Sequence, residues 1–118
     1  MAPRVLVVQS RPGPARAIRA SLAAAAMEPV VLLDGDRVAD SIGAFDPHVV
    51  LVDLTLPALD GWVVLAEVAA LARPPFVVVR VGTAGDVARA VALGADAWVD
   101  DDAHLLAAAG KLVLSLAA

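Results

Sequence analysis

Four short apolar runs punctuate the chain: Arg4-Val5-Leu6-Val7-Val8, Pro29-Val30-Val31-Leu32-Leu33, His48-Val49-Val50-Leu51-Val52 and Phe76-Val77-Val78-Val79. None alternates with polar residues, so each fits a strand covered on both faces, as in a parallel sheet. A weaker fifth run, Ala97-Trp98-Val99, leads into the acidic triplet Asp100-Asp101-Asp102. Parallel neighbours need long crossovers, and the intervening segments are long enough to be helices. Residues 14–26 place Ile18 and Leu22 at helical spacing with Arg16 and Arg19 turned away. Residues 36–44, 62–72, 87–93 and 105–116 supply four more, the fourth capped by Asp86 and stopped by Gly94. The predicted order is (βα)5, a doubly wound, five-stranded parallel sheet between two helical layers.

Composition changes this picture little but excludes much. Hydrophobic residues make up 60% of the 118 positions and the mean hydropathy is +0.80. A membrane span needs ~20 apolar residues in a row, whereas residues 62–72 are broken by Glu67 and residues 105–118 by Lys111. The N-terminus has no signal-peptide pattern, so one cytoplasmic domain over residues 1–118 is expected. No cysteine is present, and His48 and His104 are too few for a zinc site. A net charge of −4 opposes direct contact with nucleic acid, leaving a protein partner.

Ligand chemistry in open α/β sheets sits beyond the carboxyl ends of the strands, where strand order reverses. That rule singles out Gln9-Ser10-Arg11, Asp53-Leu54-Thr55, residues 80–85 and Asp100-Asp101-Asp102. The stretch Val50-Leu51-Val52-Asp53-Leu54-Thr55-Leu56-Pro57-Ala58-Leu59-Asp60-Gly61 resembles the phosphoacceptor strand and turn of response-regulator receiver domains, the CheY-like superfamily, at twelve consecutive positions. Gly94-Ala95-Asp96-Ala97-Trp98 is similar to that family's approach to strand five. The resemblance implies a flavodoxin-like αβα fold and makes Asp53 the candidate phosphoacceptor.

It also implies helpers that this sequence lacks. The family's acidic, Mg²⁺-holding pair falls on Gln9 and Ser10, and the first acidic residue in the chain is Glu28. A hard cation prefers several anionic oxygens, so only weak Mg²⁺ binding is expected, at Asp53 and the Thr55 carbonyl. The family's phosphate-pairing lysine falls on Asp101 and the proline after it on Asp102. The only lysine is Lys111. Two like charges ~4 Å apart at an effective dielectric near 20 repel by roughly 4 kcal/mol, so an acid there opposes phosphate. The hydroxyl switch position falls on Arg80, or on Thr83 if strand four is shifted. An inward Arg80 would pair with Asp53 or Asp101 and hold the loop without phosphate. The expectation is of too little fixed positive charge and too few metal-holding oxygens around Asp53 to host a phosphoryl group.

Plainer readings stand beside these. Asp53 could be only a strand-end carboxylate, though the motif around it favours a site; the acidic triplet reads first as a solvated loop capping the last helix, and His48 as a surface residue opening strand three. Trp98 occupies the family's aromatic switch position or else packs permanently at a core edge. Leu105, Leu106, Leu112, Val113 and Leu116 exceed one inward stripe; the resemblance to receivers, which often associate through the helix 4, strand 5, helix 5 face, implies a homodimer or partner surface there. The expected function is therefore a non-enzymatic, atypical receiver acting through contacts with an effector domain, a sensor kinase or a second copy. A working receiver phosphorylated on Asp53 is one alternative, and a small-molecule sensor using Gln9, Ser10, Arg80 and Asp101 is another.

Overall fold

The computed structural model describes residues 2–55, 60–100 and 107. Along the chain run β1 (Arg4–Val8), α1 (Pro12–Ala24), β2 (Glu28–Leu32), α2 (Val38–Phe45), β3 (Val49–Asp53), α3 (Gly61–Ala69), β4 (Phe76–Arg80), α4 (Ala84–Ala92) and β5 (Ala97–Val99). The strands form one parallel sheet in the order β2-β1-β3-β4-β5. The predicted α/β architecture is thus the observed one. The expected fifth helix, with Leu105 and Leu112, and the acidic residue Asp101 lie outside the described residues.

Period-two alternation along the strands divides the core in two. Leu6, Val8, Val50, Val52, Val77 and Val79 face one way, where Val38 of α2, Val64, Leu65 and Val68 of α3 and Ala90 of α4 cover them. Val5, Val7, Val49, Leu51 and Val78 face the other, against Ile18 and Leu22 of α1 and Met27. Every residue of β3 is buried. Full burial of one Val or Leu contributes ~1.5–3 kcal/mol, so the central strands are the most firmly held part of the sheet. Their carboxyl ends form a rigid platform.

Several boundaries differ from the sequence-based expectation for local reasons. Helix α1 starts at Pro12, two residues early, because prolines in a first turn need no hydrogen-bond donor there. Helix α4 starts at Ala84 behind Thr83, which puts Asp86 inside the first turn and not at the cap. Asp86 instead donates its backbone N–H to the Thr83 carbonyl at 3.1 Å. Gly94 does follow the end of α4, at φ 111°, with only 2.7 Å between its ideal Cβ position and Ala69 Cβ. His48 is partly buried, its Nδ1 accepting the Arg4 backbone N–H at 3.0 Å.

Candidate functional site

The strand order reverses between β1 and β3, and their carboxyl ends bring Gln9 and Asp53 side by side. Asp53 closes β3 and is 1% exposed. Its two oxygens have different surroundings. Oδ1 accepts the Thr55 backbone N–H at 2.8 Å and the Thr55 hydroxyl, a local turn of the kind aspartate favours. Oδ2 accepts from Gln9 Nε2 at 3.1 Å and from Arg80 Nη1 at 3.2 Å, with Arg11 Nη2 at 3.8 Å.

Each donor is placed by the fold. Gln9 follows β1, donates its backbone N–H to Leu32 at the end of β2, and is also 1% exposed. Its Oε1 accepts the Arg11 backbone N–H at 3.1 Å, which fixes the carboxamide with its NH₂ toward Asp53. Arg80 ends β4 directly opposite Asp53 in the parallel register. Its side chain is 20% exposed, against 50% for Arg11. Solvent therefore screens the Arg11 contact far more than the Arg80 contact.

Gly61 opens α3 behind this site. A Cβ there would lie 2.9 Å from both the Asp53 carbonyl oxygen and Leu54 Cδ2. Gly61→Ala is expected to cost about 1–3 kcal/mol, the range for overpacking a close contact, in urea denaturation.

No family model and no curated protein matches the chain. Solved structures do. A signal receiver domain of a Bermanella marisrubri response regulator is 27% identical over 96% of this chain and 99% of its own, with TM-score 0.81. This chain's fold is that of response-regulator receiver domains. The BeF3-activated N-terminal receiver domain of Klebsiella pneumoniae RstA is 24% identical over 94% of this chain and 97% of its own, with TM-score 0.77. The receiver domain of a putative Luxo repressor protein from Vibrio parahaemolyticus is 21% identical over 99% of this chain and 93% of its own, with TM-score 0.82.

The receiver fold implies a divalent cation beside Asp53, and the residues present do not fit one. Gln9 turns a donor, not an oxygen, toward Oδ2, and Arg80 brings a positive charge to the same atom. No group of three or more His, Cys, Asp or Glu suited to a metal occurs among the described residues. One carboxylate flanked by the guanidiniums of Arg11 and Arg80 sums to a local charge of +1, which a dication would raise further.

The expectation of too little positive charge around Asp53 is corrected by this geometry, because Arg11 and Arg80 both reach it. Pairing of Arg80 with Asp53 followed from its place at the end of strand four. Arg11 received no role from the sequence, although it stands in the loop after β1 where ligand chemistry was sought. A cation directly after the positions of the family's metal-holding pair was the available signal. Ser10 is partly buried beside the site. Thr83 is exposed at the N-cap of α4, not beside Asp53. With Val81, Gly82, Ala84, Val87, Trp98 and Asp100 it lines a separate cleft of about 500 Å³. Trp98 is 49% exposed, so permanent core packing is not its state here.

Proposed function

We propose that this receiver is an atypical signalling module in which Gln9 and Arg80 take the place of the metal, and which acts through protein contacts without Mg²⁺-dependent phosphorylation of Asp53. The observation that carries this reading is the set of donors on Asp53 Oδ2. Phosphoryl acceptance requires an oxygen with an open approach and a stabilised transition state. Here Oδ1 is held by Thr55, Oδ2 by Gln9 and Arg80, and the residue is 1% exposed. Charge-assisted hydrogen bonds of this kind are worth ~1.5–3 kcal/mol each, and attack on phosphorus would first have to loosen them.

The contact surface fits the exposed side of α4 and β5. Val91 is 54% exposed and Trp98 49%, and the cleft beside Trp98 is apolar apart from Thr83 and Asp100. Arg89 stacks 4.1 Å over the Trp62 ring, which pins α4 to α3 and keeps that surface in one arrangement. Effector domain, sensor kinase and second copy remain the partner classes this surface serves.

Incubation with acetyl phosphate, followed by intact-mass measurement, tests the reading. Unmodified protein is expected with Mg²⁺ and with EDTA alike. A stoichiometric phosphoryl adduct that needs Mg²⁺ and disappears in Asp53→Asn overturns it. The guanidiniums of Arg11 and Arg80 favour one second reading, a receiver phosphorylated without metal. Its mark is an Asp53-dependent adduct that forms equally in EDTA and is lost in Arg80→Ala.

A further inference from the structure

The charge of the chain is unevenly spread. All 13 acidic residues lie at or after Glu28, so residues 1–27 carry Arg4, Arg11, Arg16 and Arg19 with no acid among them. Arg16 and Arg19 are exposed on α1. They rim a groove of about 210 Å³ whose remaining lining is Pro12, Ala15, Val31 and Leu33. Neither arginine has an ion-pair partner among the described residues. Leu33 is 51% exposed and Val31 only partly buried.

The floor of this groove is the edge of the sheet. Strand β2 pairs with β1 alone among the described strands. Glu28 donates its N–H to Pro3, and the Leu32 carbonyl accepts from Gln9. In a parallel ladder a residue's N–H and C=O point the same way. Glu28, Val30 and Leu32 therefore face β1, while Pro29 and Val31 turn their backbone groups outward. Proline at an outward position costs the sheet no bond. Val31 presents both a donor and an acceptor, and the only charge on the strand is Glu28 at its start. Glu28 and Pro29 blunt the start of this edge, and the part left open to strand addition is at Val31.

The geometry points to β2 as a docking edge for an extended, acidic segment of a partner protein, which adds as a sixth strand through Val31 and sets carboxylates against Arg16 and Arg19 around an aliphatic side chain on Val31 and Leu33. Strand addition supplies the main-chain bonds, and the side chains that face the groove supply selectivity. Charge decides the partner class. A second copy offering its own β2 would bring the same arginines face to face.

The test is an amide-resolved NMR titration of the intact protein with the peptide Asp-Ser-Leu-Ser-Asp, blocked at both ends, against Lys-Ser-Leu-Ser-Lys. Shifts centred on Val31 and Leu33 are expected with the acidic peptide, at an affinity at least about tenfold above the basic one. Arg16→Glu with Arg19→Glu should remove that preference. Val31→Pro, which deletes the outward N–H and replaces the valine side chain in the groove, should abolish binding while the melting temperature shows a retained fold. Absence of shifts at β2, equal binding of both peptides, or binding that survives the charge reversal overturns the proposal. So does concentration-dependent self-association in sedimentation that the charge reversal abolishes, because the edge would then belong to a second copy.

Discussion

Arg80→Ala is expected to destabilise the protein by about 3 kcal/mol, the lower end of the range for removing one partner of a buried ion pair. The loss arises because Asp53, 1% exposed, keeps its charge in a site that water cannot reach freely. Two features hold the loss at that lower end. The Arg80 side chain retains 20% exposure, so water enters part of the space it vacates, and Arg11 remains 3.8 Å from Oδ2. Asp53→Asn should rescue much of the effect. With a neutral side chain at position 53, deleting the guanidinium no longer strands a charge, so Arg80→Ala costs less in that background. A double-mutant cycle in urea should give a coupling of about 1–3 kcal/mol, as neighbours in one network do. A coupling near zero would show that Arg80 only packs against the strand end and that Asp53 is neutralised by other means.

The fold was legible because its signals are repetitive and local. Four unbroken aliphatic runs with helical spacing between them leave few topologies, and right-handed crossovers leave fewer. The strand β5, three residues with an exposed tryptophan, was recoverable mainly through the resemblance of Gly94-Ala95-Asp96-Ala97-Trp98. Helix boundaries were less legible, since Pro12 and Thr83 act through end effects that apolar periodicity does not record. For the site, the central motif located Asp53, and strand-end counting located Gln9 and Arg80. What escaped was geometry that no spacing encodes. Arg11 reaches Oδ2 because Gln9 Oε1 holds its backbone N–H, a side-chain bridge visible only once β1 and β3 lie side by side. The choice between Arg80 and Thr83 likewise turned on register, which places Arg80 opposite Asp53 and carries Thr83 on to the start of α4.

Gln9→Asp combined with Arg80→Ser should convert the site from one that repels a dication to one that requires it. In the native protein the Gln9 NH₂ and the Arg80 guanidinium occupy the positions around Oδ2 where a metal would seek oxygens, at 3.1 and 3.2 Å. The double substitution supplies a second carboxylate beside Asp53 and removes the nearest cation. Without metal, two carboxylates ~4 Å apart repel by roughly 4 kcal/mol at an effective dielectric near 20, so the variant in EDTA should melt well below the native protein. With Mg²⁺ at 100 times its dissociation constant, binding restores ~2.7 kcal/mol, which for a chain of this size is roughly 10 °C in melting temperature. The native protein should show no such shift with Mg²⁺, because Arg11 and Arg80 already leave the site with a positive local charge. Equal Mg²⁺ responses in the two proteins would mean that the Gln9 and Arg80 contacts do not exclude metal, and a variant indifferent to Mg²⁺ would mean that they are not what excludes it. Mn²⁺ and Ca²⁺ titrations separate a true oxygen-ligand site from general ionic screening, since screening by dications does not distinguish ions of equal charge whereas a fixed site selects by size and ligand number.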